Sequence, residues 1–317
     1  MQFARHSSLV TGHLSQEGNG LMDGALVLDK PVGITSHDAV VAARRLLSEP
    51  RMGHLGTLDP FASGVLVLLL GCATRLARFY RDREKTYAGT IRFGFSTTTF
   101  DCDGDATSPD RSPVLAEPEL RSLFGEFLGT RRQEPPPFSA KKVSGVPAYR
   151  LARKGQAVAL EAVPVTIHEL EVVAIEGPLV RFRTRVSAGT YIRSLAHELG
   201  ERLGMGAHLA ELRRTAVGEF REPSALPLDT LGEKARQGAV PVIPLESLLT
   251  ELPGIALLPP HVTRVLHGHD VGIECDRDRV RLLDESLRLV AIAEREAEGL
   301  FHPVVVLRSP GNTAPSV

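Results

Sequence analysis

The sequence predicts an α+β protein: a mixed domain built around a mostly antiparallel sheet, followed by a small β-rich domain. Three observations carry that expectation. Short, strongly apolar runs such as Val65 to Leu70 alternate with amphipathic stretches of helical period. Lys85 to Gly94 and Val180 to Val186 alternate residue by residue, the period of a half-buried strand. The stretch from Gly254 to Leu307 breaks into short strand-like runs separated by turns. A length of 317 residues leaves room for two domains at roughly 150 residues each.

In chain order, residues 1–23 are rich in Ser, Gly and polar residues without periodicity and read as a flexible extension. Gly24 to Asp29 reads as a buried strand stopped by Lys30-Pro31. Thr35 or Ser36 can cap a helix that carries Val40, Ala43 and Leu47 on one face and ends before Pro50. Gly53 to Pro60 is a turn-rich loop leading into the strand Val65 to Leu70. The strand from Lys85 places Tyr87, Gly89, Ile91 and Phe93 on one face. Residues 133–155 are proline-rich and basic and are expected to form a mobile loop. Val180 to Val186 sets Val180, Phe182, Thr184 and Val186 against Arg181, Arg183 and Arg185. A helix follows, with Thr190 as its expected N-cap and Ile192, Leu195, Ala196, Leu199 and Leu203 as its apolar stripe. Pro223 to Pro260 reads as connections and short helices.

Composition excludes several classes. With 43% hydrophobic and 24% charged residues the chain is neither disordered nor collagen-like. Its longest purely apolar run, Val65 to Leu70, is far short of the ~20 residues a membrane helix needs. No apolar stretch near the start resembles a signal peptide, so a soluble, cytoplasmic protein without membrane contact is expected. Cys72, Cys102 and Cys275 are too far apart for a disulfide framework or a cysteine zinc site. His267-Gly268-His269 with Cys275 is too irregular for a metal cluster, so no metal is expected.

The formal net charge of −1 conceals segregation. Residues 130–155 carry seven bases against one acid, and residues 75–92 six against two. Residues 246–298 carry eleven acids against six bases. Such a distribution permits a local polyanion site on a near-neutral protein, although on charge alone solvated faces are the favoured explanation.

Two residues stand out chemically. Asp59 sits in a glycine-rich loop, directly before Pro60 and an apolar strand that would anchor it. Arg193 falls in the first turn of its helix, where a cation opposes the helix dipole and calls for an anionic partner. A carboxylate such as Asp59 or a phosphate could be that partner.

Gly53-His54-Leu55-Gly56-Thr57-Leu58-Asp59-Pro60 with Ala62-Ser63-Gly64-Val65-Leu66 closely resembles the catalytic motif of the TruB family, pseudouridine synthases that act on the T-loop uridine of tRNA, position 55 by convention. Four further motifs follow the family's order: Asp29-Lys30-Pro31 with Gly33-Ile34-Thr35-Ser36; Lys85-Thr86-Tyr87 with Asp101-Cys102-Asp103-Gly104; Gln133-Glu134-Pro135-Pro136 with Ser139-Ala140-Lys141, Tyr149 and Arg153; and Gly189-Thr190-Tyr191-Ile192-Arg193 through Leu212-Arg213-Arg214. Departures are Leu55, where several members carry threonine, and Phe100, which makes Thr99-Phe100-Asp101 less polar than the family pattern.

The resemblance implies a pseudouridine-synthase-type catalytic domain over 24–250 and a small PUA-like β-barrel, an RNA-binding domain, over 251–308, with a tail at 309–317. It implies isomerisation: the N1–C1′ bond breaks, the base turns, and C5 joins C1′. No cofactor is needed. Asp59 would be the essential carboxylate, its path open between attack on the sugar, addition to the base and proton abstraction. Arg193 would orient Asp59, and Tyr87 would stack on the uracil. His54 and Tyr191 would contact substrate as the uridine flips out of its stack. Leu212 would line the uracil pocket. Lys30, Lys141, Arg153, Arg213 and Arg214 complete the expected substrate-binding set, the last two together with the Lys141-Lys142 loop at phosphates. The partner would be the T-arm of tRNA, with no DNA and a monomeric protein. The rivals are a non-catalytic tRNA-binding or folding module and a hydrolase using Asp59. The hydrolase lacks any histidine or metal arrangement to activate water.

Overall fold

The structure is a computed structural model describing residues 22–139, 141–143, 146–147 and 160–308. Eleven strands form the larger sheet: β1 (Gly24–Lys30), β2 (Met52–His54), β3 (Ser63–Leu70), β4 (Lys85–Phe93), β5 (Gly129–Gln133), β8 (Val163–Glu176), β9 (Leu179–Val186), β10 (Ala207–Val217), β11 (Phe220–Arg221), β12 (Leu226–Pro227) and β13 (Ile243–Pro244). Between β5 and β8, β6 (Lys142–Val143) and β7 (Val146–Pro147) form a separate two-stranded ladder. The main path runs β12-β1-β3-β10-β4-β9-β8-β5, antiparallel except for β1–β12 and β3–β10. The helices are α1 (Ser36–Leu47), α2 (Glu117–Glu126), α3 (Ile192–Arg202), α4 (Leu228–Arg236) and α5 (Pro259–Leu266), with a 3-10 helix at Gly71–Tyr80.

Burial explains why β1 and β3 read as unbroken apolar runs. Val65, Val67 and Leu69 of β3 face one hydrophobic core, while Leu66, Leu68 and Leu70 face another. Both faces are covered, so alternation disappears. By contrast, β9 shows its buried and exposed faces in strict turn, as its sequence predicts. The third core, between the sheet and α2 and α3, holds Tyr87, Ile91, Phe93, Phe182, Leu195 and Leu212.

Three local expectations are corrected. Gly53 and His54 belong to β2, paired with Leu69 and Leu68, so the loop begins at Leu55. Gln133 closes β5 rather than opening the expected loop, part of which lies outside the described residues. The N-cap of α3 is Tyr191 instead of Thr190, whose hydroxyl donates to the Ser187 carbonyl. The central strand β10 escapes the sequence pattern because irregularities at Leu209/Glu211 and Arg214/Ala216 break its period of two.

β14 (Gly254–Ala256), β15 (Val271–Gly272), β16 (Arg279–Leu283), β17 (Leu289–Ala297) and β18 (Leu300–Val306) make a second, five-stranded sheet of PUA-like form. It is bolted to the first. Leu289, Ile292 and Val305 share a core with Leu69, Leu76, Tyr80 and Leu245. Arg75 Nη1 donates to the Val306 carbonyl at 2.6 Å, and Arg78 Nη2 to that of Val304 at 3.1 Å. Arg83 pairs with Glu251. Much of the basic charge of residues 75–92 is therefore engaged in docking the two sheets.

Candidate active site

Asp59 is carried by the loop between β2 and β3, and that loop is clamped from several directions. Ser36 Oγ accepts the Leu58 N–H at 2.8 Å and donates to the Leu58 carbonyl at 3.1 Å. Gly33 N–H donates to the Pro60 carbonyl at 2.8 Å, and Ala62 N–H to that of Asp59 at 3.1 Å. Arg214 closes the bracket from β10: Nε donates to Val65 O at 2.8 Å, Nη1 to Thr57 O at 3.2 Å and Nη2 to Gly56 O at 3.0 Å. This approach requires Gly64, where φ is +101° and a Cβ would sit 2.3 Å from the Arg214 carbonyl. The carboxylate is held in one place by its backbone.

Arg193, the second residue of α3, turns its guanidinium onto Asp59. Nη2 donates to Oδ1 at 3.3 Å, and Nε lies 2.9 Å from Oδ2. The Nε–H is not directed at that oxygen, so the second contact is Coulombic rather than a hydrogen bond. The arginine is 6% exposed, whereas the Asp59 side chain keeps 37% of its surface open. Nη1 meets Asp101 Oδ2 at 3.2 Å and the Thr99 carbonyl at 3.1 Å, and Nη2 also reaches the Phe138 carbonyl at 2.9 Å. Two carboxylates around one buried cation offset both its desolvation and its misfit with the helix dipole.

Gln133 seats α3. Its Oε1 accepts the Tyr191 N–H at 2.8 Å, and its Nε2 donates to the Tyr191 carbonyl at 3.1 Å. The amide thus takes over the capping that Tyr191 itself does not supply. Asp101 is 4% exposed and ordered by the Asp103 N–H at 3.1 Å and by the Thr99 hydroxyl. The roles of Asp101, Gln133 and Ser36 were missed by sequence reasoning. A signal existed for Asp101 and Gln133, since both fall inside family-like motifs, but nothing local marks Gln133 as a partner of Tyr191.

Around this pair the expected residues divide. Tyr87 and Leu212 lie in one apolar cluster with Leu58 and Ala62, which flank Asp59. Across the sheet, Tyr87 is in register with Arg214, and Arg214 with Gly64. Tyr191 is half-buried, and burial raises its phenol pKa while the charges of Arg193 and Asp59 act on it. His54 has its pKa lowered by burial, and its Nδ1 is buried without a partner among the described residues. Its ring is therefore neutral near pH 7.

The basic residues depart from expectation. Arg214 is 1% exposed and directs three of its five N–H donors at carbonyls beneath the loop, so burial keeps it from a phosphate. Arg213 is bound by Asp29 at 2.8 Å and Glu222 at 2.6 Å, which neutralise it. Lys30 is fully buried, and its Nζ donates to the carbonyls of Pro31 at 2.8 Å and Ile34 at 2.9 Å. Burial brings its pKa down to about 8 against the opposing pull of Asp59. Lys141 Nζ donates to the Glu161 carbonyl at 2.8 Å on the surface, and Arg153 lies outside the described residues. Local sequence could not tell Lys30 and Arg214 from surface bases, because their burial is set by strands distant in the chain.

Among the described residues no group of three or more His, Cys, Asp or Glu could hold a metal ion, and no helix is long and apolar enough to cross a membrane.

The model of the TruB family pseudouridylate synthase N-terminal domain matches residues 44–192, and that of the tRNA pseudouridylate synthase B C-terminal domain matches residues 193–250. The chain is 43% identical over 293 residues to the tRNA pseudouridine synthase B of Solibacter usitatus (strain Ellin6076), covering 90% of this chain and 100% of that protein. It is 40% identical over 291 residues to the enzyme of the same name from Burkholderia mallei (strain NCTC 10247), covering 89% and 96%. A solved H/ACA RNP bound to a substrate RNA containing 2'-deoxyuridine contains a chain of similar fold, with a TM-score of 0.69, 27% identity, and coverage of 92% of this chain and 87% of that one. With matching family models across most of the catalytic fold and relatives aligned almost end to end, the chain belongs to the TruB family of pseudouridylate synthases.

Proposed function

We propose that this protein isomerises uridine to pseudouridine in tRNA, at the T-loop uridine conventionally numbered 55, with Asp59 as the essential carboxylate. The observation that carries the reading is a half-open Asp59 on a clamped loop, bound by a buried arginine. Relatives named tRNA pseudouridine synthase B support tRNA as the substrate.

The chemistry follows from what the chain supplies. Uridine must leave its stack to bring C1′ and C5 to the half-open carboxylate of Asp59. The neutral ring of His54 fits a wedge in the stack it vacates. Tyr87 and Leu212 would sandwich the uracil, and Tyr191 would bound its rim. Arg193 holds Asp59 in one orientation while leaving part of its surface to the substrate. The reaction breaks one glycosidic bond and makes another without net redox change, so no cofactor is required. The basic segment 130–155 would grip the phosphates of the T-arm, with the protein acting as a monomer in the cytoplasm. We place the catalytic unit at 24–250 and an RNA-binding unit at 251–308.

The test is site mapping of pseudouridine by primer extension on unmodified tRNA that has been incubated with the protein and then treated with a carbodiimide, whose alkali-stable adduct on pseudouridine stops the polymerase. A single stop at the T-loop uridine, lost when that uridine is replaced by cytidine, is expected. Modification elsewhere with the T-loop untouched, or none at all, would overturn the reading. The second outcome would favour a tRNA-binding module without turnover.

A further inference from the structure

Phe100 occupies a conformation that a bulky side chain avoids. Its φ is +64°, in the left-handed region. Two contacts keep it there. Its ring lies flat on the imidazole of His197, with centroids 3.8 Å apart and planes within 6°. Its carbonyl accepts the Leu209 N–H of β10 at 3.0 Å. His197 stands four residues after Arg193 on α3, on the same helix face. The residues on either side of Phe100 both bind Arg193 Nη1: Thr99 through its carbonyl at 3.1 Å and Asp101 through Oδ2 at 3.2 Å. The strained residue is therefore tied by its ring to the helix whose arginine its two neighbours hold.

We propose that Phe100 is a positioning residue for the isomerisation. Its stack on His197 fixes the 97–101 turn against α3, and through Thr99 and Asp101 it fixes the angle at which Arg193 faces Asp59. This rests on the reading of Asp59 as the reacting carboxylate. The effect of Phe100 passes through Arg193. Strained residues persist where surrounding structure over-determines them, and they gather at functional sites. A ring kept only for packing would be expected on relaxed backbone. Glycine adopts this φ freely, so Phe100→Gly removes the ring and relieves the strain together.

The experiment measures kcat and KM for pseudouridine formation in unmodified tRNA, with thermal melts, for wild type, Phe100→Gly, Phe100→Tyr, His197→Ala and the Phe100→Gly/His197→Ala double variant. Phe100→Gly is expected to melt near the wild-type temperature with KM unchanged and kcat lowered about tenfold or more. Phe100→Tyr, which keeps a ring, is expected to stay within about threefold of wild type. His197→Ala should resemble Phe100→Gly, and the double variant should be no worse than either single one. Should Phe100→Gly fold poorly, His197→Ala and Phe100→Tyr decide the question alone. A wild-type kcat in Phe100→Gly or His197→Ala, a loss expressed only in KM, or independent losses that multiply in the double variant would overturn the proposal. An inactive wild type would overturn the functional reading, and the proposal with it.

Discussion

Asp59 and Asp101 face each other across a single guanidinium: Arg193 Nε lies 2.9 Å from one carboxylate and Nη1 3.2 Å from the other. Asp101 is buried and Asp59 half-open, so the first anchors the arginine and the second keeps the open surface that the proposed chemistry requires. A planar fork with separate donors can serve two carboxylates in fixed directions; a lysine ammonium cannot. Arg193→Lys is therefore expected to lower kcat by on the order of 10²-fold while tRNA affinity stays within a few-fold of wild type. Single-turnover kinetics beside a filter-binding titration separates the two effects, and unchanged turnover would contradict the pairing.

Arg214 should behave as part of the scaffold. Replacing it with methionine removes three hydrogen bonds from a buried cation and strands the carbonyls of Gly56, Thr57 and Val65. Urea unfolding should show a loss of about 2–4 kcal/mol. The salt dependence of tRNA binding should not change, because this arginine reaches no phosphate. A flatter salt slope at unchanged stability would show the opposite.

Lys30 gives a pH-dependent signature. Its pKa of about 8 lies below the ordinary lysine value, so between about pH 8 and 10.5 the unfolded chain binds more protons at this site than the folded one. Its contribution to stability consequently rises with pH across that window and is flat below it. Asp59 pulls this pKa upward. The Lys30 ε-carbon followed by NMR should thus titrate near 8 in wild type and lower still in Asp59→Asn. A higher value in the variant would mean that the two groups do not sense each other.

The electrostatic grip on RNA is expected in the segment 130–155. Replacing Lys141, Lys142, Arg150 and Arg153 with alanine should weaken tRNA binding and flatten the plot of log affinity against log salt by roughly one unit per lost contact. The four substitutions are a cleaner probe than truncation at Gly254, which would strip Leu289, Ile292 and Val305 from a core they share with the first sheet. A salt slope identical to wild type would place the grip elsewhere.

The elements with regular burial were legible in the sequence. Thr35 caps α1 through a capping box with Asp38, and β9 buries every second residue. β10 was illegible because its irregularities scramble the alternation, and α3 takes Tyr191 as its N-cap because a glutamine far away in sequence binds that residue's backbone. Within the site, Arg193 announced itself by opposing a helix dipole, and the structure supplies Asp59 as its partner. Arg213 and Arg214 could not be read correctly, since adjacent arginines on one strand face opposite ways. One is half-open between two carboxylates, and the other is sealed beneath the loop. Local chemistry shows which residues can react. Long-range pairing decides which of them are free to do so.

The account turns on Asp59, and tritium release tests it most directly. Isomerisation joins C5 to the sugar, so each uridine converted in C5-tritiated, unmodified tRNA releases its label to water. Wild type is expected to release one equivalent per tRNA, whereas Asp59→Asn binds the same tRNA and releases label at least about 10²-fold more slowly. Release by Asp59→Asn at the wild-type rate would remove Asp59 from the chemistry and contradict the account.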